Sequence, residues 1–374
     1  MATAVHLIND EKFLPRFIER YEEHHGACIC VVFGKEEPYQ FIQPSETIFN
    51  STSWRESFGQ IDDVYVHFMT YQKIRWIQKH APGARVHWIY FGSDLYELLM
   101  VFHKLVLIPS SSNSKKILPN IKGKTLFHRF TRVIRLAYYH TVFSSFVKYR
   151  LTTFRFWNIG DFDLFKKHFQ SNAHFKFFQY GSFSESEIDY VKNVPDKNST
   201  DQNLRILLNH SGTRSGNHLE IIEALRTHDD RKMIMHPILS YGDDVHIKVV
   251  NEIGEATFKN RWKPQLDFIS RLEYYHLLNR MSIAIFGHVR QEAGNSIFIS
   301  MLLGIKVFIH PNSLLIPYLE SNHFIYFTLN DIGTEDWASS LTDYEKETNR
   351  SAALVYFSEN RINQGYESLV SSSL

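Results

Sequence analysis

The sequence predicts an α/β protein built from two open parallel sheets, and three observations lead there. Apolar strand-like runs alternate with helical patterns over residues 1–180, which is how a parallel sheet with crossover helices reads in sequence. A polar stretch follows, and the same alternation then restarts. At 374 residues the chain is longer than the roughly 250–300 residues at which one hydrophobic core usually divides, so two domains are expected.

The strand-like runs of the first half are Val5 to Ile8, Ile29 to Phe33, Val64 to Phe68, Val86 to Phe91 and Phe175 to Tyr180. Cys28 and Cys30 alternate along the second of these. Side chains two apart on a strand share a face but are poorly placed for a disulfide, so both read as packing thiols in a reducing compartment. Residues 183–203, which include Pro195-Asp196-Lys197-Asn198, read as a linker. The second half offers strands Leu204 to Leu208, Lys232 to His236, Ile283 to Phe286 and Lys306 to His310. Helices are expected near Asn217 to Thr227, Arg271 to Asn279 and Ser296 to Leu303. The expected domains are therefore 1–182 and 204–342, with a helical segment, 343–374, able to pack back on the first.

Apolar residues at 44% and charged residues at 22% exclude a disordered chain, and a net charge of +1 gives no global field for nucleic acid, which is not expected as a partner. The first residues lack the basic and apolar regions of a signal peptide. The most apolar window, Leu98 to Ile108, is broken by His103 and Lys104 and is too short to span a bilayer, so a cytoplasmic chain is expected. One stretch is asymmetric. Leu98 to Gly160 holds eleven Lys or Arg and no Asp or Glu, interleaved with Phe and Tyr. Residues 115–155 accordingly read as a contact for an anionic membrane surface, which would make the protein peripheral on the inner face of the cytoplasmic membrane. A solvated basic face over an aromatic core and a single-stranded nucleic-acid surface are the other readings of the same stretch.

In a βαβ unit the strand-to-helix loop lies at the ligand edge of the sheet, and amides at the helix start favour anions. Two loops of the second half have suitable residues. Asn209-His210-Ser211-Gly212-Thr213-Arg214-Ser215-Gly216-Asn217-His218 combines glycines, hydroxyls and a guanidinium fork, with Ser211, Gly212, Thr213, Arg214, Asn217 and His218 as candidate ligands. Gly287-His288-Val289-Arg290-Gln291-Glu292-Ala293-Gly294-Asn295-Ser296 adds Arg290, Gln291, Gly294, Asn295 and Ser296. Neither is a Walker or GxGxxG motif, and surface turns with Asn or Ser helix caps are the bland alternative. If both helix starts converge, they can hold one diphosphate. Tyr241, in Pro237 to Gly242, is either a wall for base or ribose or a capping aromatic.

With these loops in view, the chain resembles the TDP-N-acetylfucosamine:lipid II N-acetylfucosaminyltransferase family. The resemblance rests on Trp88-Ile89-Tyr90-Phe91-Gly92-Ser93-Asp94-Leu95-Tyr96-Glu97, on the Asn209 to His218 loop, on Arg290-Gln291 ahead of a helix ending in Gly304, and on Tyr274 with Leu277 and Leu278. It implies a GT-B fold, two Rossmann-like domains facing each other across a cleft. The nucleotide sugar would be held mainly by the C-terminal domain and a lipid-linked saccharide acceptor by the N-terminal one. Ser282 stands where the family tends to carry an acidic residue, and Ala293-Gly294-Asn295 place the glycine differently, which leaves the donor sugar open.

The implied reaction is transfer of a deoxy-amino or related sugar from a TDP- or UDP-sugar to that acceptor in bacterial surface polysaccharide synthesis. It needs a stabilised diphosphate and, for direct inversion, a base. Arg214, Arg290 and the helix starts supply the first. Asp94, just past the strand Val86 to Phe91, is the candidate base or else a helix cap, and Glu97 is the fallback. Asp161-Phe162-Asp163 matches the DxD spacing, but Asp161 reads as the N-cap of a helix over Phe162 to Phe169, with Asp163 in its first turn. No H-E-x-x-H and no Cys partner at zinc spacing occurs among the 20 histidines, so no metal and no cofactor is expected. The same loops would also serve a nucleotide-sugar epimerase of this fold, which would convert donor without an acceptor. A non-catalytic membrane-binding scaffold would bind no nucleotide diphosphate at all.

Overall fold

Runs of β-branched and aromatic residues flanked by Gly, Pro or Asn become strands largely buried on both faces, as parallel strands between helix layers must be, although those of the first sheet also bury His6, His67, His87 and Arg155. The structure is a computed structural model. It describes residues 3–11, 13–34, 38–52, 54, 59–106, 126–181, 187, 190, 203–228 and 233–369, without the side chains of 126–130 and 132. The chain forms two compact units. One comprises Met1–Leu105, Gly123–Ser182 and Ser358–Leu374; the other comprises Val106–Lys122 and Phe183–Phe357.

The first unit holds a seven-stranded parallel sheet in the order β3-β2-β1-β4-β5-β6-β7. Its strands are β1 (Ala4–Asn9), β2 (Ile29–Phe33), β3 (Ile48–Asn50), β4 (Asp63–His67), β5 (Arg85–Ile89), β6 (Leu151–Phe156) and β7 (His174–Phe177). Helices α1 (Leu14–His25), α2 (Tyr71–His80), α3 (Ser93–Phe102), α4 (Leu126–Tyr149) and α5 (Ile159–His168) connect them. Every residue of β4 is buried. Cys28 and Cys30 are buried and free, their sulfurs 3.5 Å apart.

The second unit holds a five-stranded parallel sheet in the order β12-β11-β10-β8-β9. Here β8 is Leu204–Leu208, β9 Met233–Pro237, β10 Ile283–Phe286, β11 Lys306–Ile309 and β12 Phe327–Thr328. The helices are α6 (His218–Arg226), α7 (Asp244–Phe258), α8 (Arg271–Asn279), α9 (Gly294–Leu302), α10 (Ile316–Ser321) and α11 (Asp343–Tyr356), followed by α12 (Glu359–Glu367). Gly254 of α7 lies flat against Trp262: a β-carbon there would sit 2.2 Å from the indole.

Three features differ from the sequence reading. First, the segment 343–374, read as one piece, is divided between the units. Ser358 caps α12 and breaks the chain from α11, and α12 then packs on α1 through Arg20–Glu359 at 2.7 Å and Phe17–Tyr366 at 5.7 Å. Second, the stretch 183–203 lies outside the described residues except Glu187, Tyr190 and Asn203. Glu187 pairs with Arg271 of α8 at 2.7 Å and the Tyr190 ring meets His276, so these two residues are docked. Third, the segment 115–155 runs into the core at its end. Its final residues form β6, where Phe154 is fully buried and Arg155 donates to Ser368. The run Leu-Thr-Thr-Phe-Arg-Phe was hidden because Thr152 and Arg155 interrupt its apolar residues. Residues 115–125 lie outside the described residues, and no described helix is long and apolar enough to cross a membrane.

Candidate functional site

In the second unit the chain runs from β8 to β9 on one side and then crosses to β10 on the other, so the sheet order reverses between β8 and β10. Open α/β sheets bind ligands at such a reversal, outside the carboxyl ends of the strands. The two loops singled out from sequence leave these two strands, and the fold joins them there. The Asn209 carboxamide bridges them, donating to the Gly216 carbonyl at 2.9 Å and accepting from the Gly287 amide at 2.9 Å. Asn217 donates to the Gly287 carbonyl at 2.5 Å. The approach demands glycine, because a β-carbon on Gly287 would lie 2.3 Å from the Gly216 carbonyl oxygen. Gly212 is likewise pressed against Ile247, and its amide donates to the Tyr241 carbonyl at 2.7 Å.

Neither helix start is closed by a side chain. Asn217 and Ala293 occupy the N-cap positions of α6 and α9 in left-handed conformation, and neither makes a side-chain cap. The orphan amides at such starts are where an anion binds. Ser296, a candidate ligand of the donor, lies in the first turn of α9. Asn tolerates positive φ, but Ala293 at φ 63 does not do so freely, and backbone strain of this kind gathers at ligand loops. Ser211, Thr213 and Ser215 form a ladder of hydroxyls in two steps of 3.1 Å.

The electrostatics differ from the simple reading of two available cations. Arg214 pairs with Asp243, Nε to Oδ2 at 3.2 Å, while Asp243 also caps α7 by accepting from the His246 amide at 2.8 Å. Arg290 donates to Glu292 Oε2 at 2.6 Å, and the Ser215 hydroxyl donates to the same oxygen at 2.7 Å. Burial acts to raise the Glu292 carboxyl, but His288 and Arg290, with His210 behind them, outweigh it and hold it at about 2. His288 is lowered too, to about 3, chiefly by burial, with Glu292 opposing and His210 and Arg290 adding to the effect, so its imidazole is neutral near pH 7. His218 is fully buried and shares a hydrogen bond with His246 at 3.2 Å, so it faces the interior of this unit. Tyr241 is half exposed, Gln291 half-buried and Asn295 exposed, with Asn295 Oδ1 accepting from the Tyr356 hydroxyl at 3.4 Å.

In the first unit Asp94 lies in the first turn of α3, which begins after Gly92 at φ 102. Its Oδ2 accepts from the Trp88 indole at 2.7 Å and the Met69 amide at 3.0 Å, and Oδ1 from the Phe91 amide at 3.3 Å. Burial lifts the carboxyl to about 6 against these bonds. Glu97 is half-buried one turn on. Asp161 is not the N-cap of α5; Asn158 is, accepting from the Gly160 amide at 3.0 Å. Asp161 instead takes the Tyr96 and Tyr90 hydroxyls at 2.5 and 3.3 Å, inside the core.

Other groups at these edges were missed in sequence. Glu292 and Asp243 appear as partners of the two arginines only once the loops fold together, although Glu292 stands two residues from Arg290. His210, His288 and Glu292 lie close enough together to hold a metal ion. His288 and Glu292 share one loop, but His210 comes from the other, so no local spacing announced them. Lys73 of α2 is fully buried, with Nζ donating to Asn9 Oδ1 at 2.6 Å and to the His67 and Phe68 carbonyls, and burial brings it down to about 7. A pocket of about 630 Å³ lies beyond β2 and β3, lined by Phe33, Asn50, Arg75, Trp76 and Lys79 among others.

No known protein family matches the chain, and no curated protein sequence matches it. Solved structures do. Sucrose-phosphate synthase from Thermosynechococcus elongatus is similar with a TM-score of 0.65 at 9% identity, covering 99% of this chain and 100% of that one. A UDP-forming α,α-trehalose-phosphate synthase from Burkholderia xenovorans gives 0.62 at 8% identity, over 99% and 98% of the two chains. Anabaena HepE, in complex with UDP and glucose, gives 0.59 at 13% identity, over 99% and 100%. The likeness takes in both sheets, and the fold is α/β of the GT-B kind.

Proposed function

We propose that the protein is a nucleotide-sugar-dependent glycosyltransferase whose donor diphosphate is held by the β8–α6 and β10–α9 loops. One observation carries the reading: the two loops meet at the reversal of the sheet with both helix starts uncapped and a ladder of hydroxyls between them. Arg214 and Arg290 then serve as phosphate forks, each turning from its carboxylate partner toward the diphosphate, and Tyr241, half exposed beside Gly212, serves as a wall for base or ribose. Known proteins of similar fold add support, since one is UDP-forming by name and another was solved with UDP and glucose. UDP-sugars and TDP-sugars are the donors to try first.

On the acceptor side, Asp94 is the proposed base. Its lifted carboxyl suits a group that takes a proton near neutral pH, and Oδ1, with one long bond from the Phe91 amide, is the atom with room for it. Glu97 stands behind it in the proposal. A lipid-linked saccharide acceptor follows from the resemblance, and helix α4 fits delivery at an anionic membrane surface: Val133, Ile134 and Tyr138 are exposed beside Arg135. Calorimetry with UDP and TDP, followed by product analysis with and without acceptor, tests the whole reading. Binding of a nucleotide diphosphate with acceptor-dependent transfer is expected. Donor conversion without acceptor makes the protein an epimerase, and no nucleotide binding makes it a scaffold.

A further inference from the structure

The carboxylate of Glu292 is held asymmetrically. Oε2 takes both strong donors, Ser215 Oγ at 2.7 Å and Arg290 Nε at 2.6 Å. Oε1 has one weak donor, Thr213 Oγ1 at 3.2 Å, and is approached by two imidazoles: His288 Nε2 at 3.8 Å and His210 Nε2 at 4.0 Å. Both distances are too long for hydrogen bonds. His288 is 2% exposed, and neither of its ring nitrogens has a hydrogen-bond partner; Nδ1 of His210 also lacks one. Buried polar atoms are nearly always satisfied, so the buried His288 Nε2, unpartnered and aimed at Oε1 across such a gap with His210 Nε2 facing the same oxygen, points to something held between them. One ligand atom from each of the three residues lies within 4.8 Å of the others.

We propose that His210, His288 and Glu292 form a binding site for one divalent transition-metal ion, Zn²⁺ or Co²⁺ in kind, with at least one coordination position open to an exchangeable ligand. Ligand bonds of about 2.0–2.1 Å in tetrahedral array place donor atoms roughly 3.4 Å apart, so the two nitrogen–oxygen gaps need close by about half an ångström, within a cluster whose donor atoms all lie within 4.8 Å of one another. Two imidazoles and one carboxylate suit such ions and not Mg²⁺ or Ca²⁺, which take oxygen. Ser215, on the far carboxylate oxygen, acts as the outer partner that orients a ligating carboxylate, joined there by Arg290 when no diphosphate draws the guanidinium away. The site belongs to the two loops themselves and stands whether or not they bind a nucleotide.

The test uses the full chain without a histidine tag, stripped with EDTA, dialysed against Zn²⁺ and then freed of excess. Metal content should be one ion per chain, and Co²⁺ in its place should give visible d–d absorption. Glu292→Gln and His210→Gln should each lose the ion. His288→Asn should lose it too, and because that residue is buried, circular dichroism accompanies it and the other two variants decide if it does not fold. His140→Ala should keep the ion; it breaks a close histidine pair outside the proposed site, His140 with His103 at 3.4 Å in the first unit. A wild-type chain that retains no ion overturns the proposal. So does retention unchanged in both Glu292→Gln and His210→Gln, or loss in His140→Ala with retention in those two. UDP calorimetry in EDTA runs beside it: UDP binding without ion retention removes the ion site and leaves the nucleotide site standing, and ion retention without UDP binding does the reverse.

Discussion

Two carboxylates sit at equivalent points of the two sheets, just past the carboxyl end of a strand near the start of a helix, and their surroundings push them in opposite directions. Asp94 in the first unit is ringed by neutral donors, an indole and backbone amides, and burial raises it to about 6. Glu292 in the second has a guanidinium and two imidazoles around it and is held at about 2 despite being mostly buried. Neutral donors orient a carboxylate while leaving it able to keep a proton; a guanidinium in direct contact makes it a permanent anion that can hold a cation. Residue type and position in the βα unit therefore do not assign a role, and the partners supplied by other elements do.

The largest expected effect that sharpens this contrast is on the pH dependence of stability. Asp94 has its pKa raised on folding from 3.8 to about 6, so its contribution is full below 3.8 and is lost as pH rises through about 6. Glu292 is lowered from 4.5 to about 2, so its contribution is present above 4.5 and is lost as pH falls through about 2. Each swing is on the order of 3 kcal/mol. Urea denaturation across these windows should show Asp94→Asn flattening the first and Glu292→Gln the second. Identical pH profiles for the two variants would break the comparison.

Next in size is turnover. Asp94→Asn is expected to lower it roughly a hundredfold while leaving UDP affinity unchanged, the reach of general base catalysis. Normal turnover with a lowered melting temperature would make Asp94 only the tie between the loops after β4 and β5. For the second unit, Arg290→Ala should weaken nucleotide diphosphate binding about tenfold or more by calorimetry, the scale of a charge-assisted contact. The effect is smaller than a wholly available arginine would give, because Glu292 already pairs with it. Unchanged affinity in this variant and in Arg214→Ala would remove the diphosphate from these loops.

The smallest effect concerns a cap. Asp243→Ala should cost about 1 kcal/mol by loss of the α7 N-cap, measured by thermal unfolding, and should release Arg214. Tighter nucleotide binding in this variant, with lower stability, is the expected pair of outcomes. Weaker binding would show that Asp243 orients Arg214 and does not restrain it.

Much of the fold was legible because parallel strands buried on both faces leave a local signal, an apolar run of β-branched and aromatic residues. Ile29 to Phe33 and Ile283 to Phe286 recur unchanged as β2 and β10. β6 was not legible, since Thr152 and Arg155 interrupt its apolar run and the fold buries that guanidinium against Ser368, more than 200 residues away in sequence. Three-residue β3 and two-residue β12 carry too few side chains to show a period.

The sequence by itself determined the α/β class, the two sheets and the two loops rich in glycine and hydroxyls, because strand propensity and glycine's small size act within a few residues. Only the tertiary structure decided what those loops do to each other. Asn209 stitches them, Gly287 lets their backbones touch, and Glu292 gathers Ser215, Arg290, His210 and His288 from both. Desolvation and charge pairing depend on which distant side chains the sheet order brings together, and that order is set by packing across the whole unit. No window of the sequence contains it.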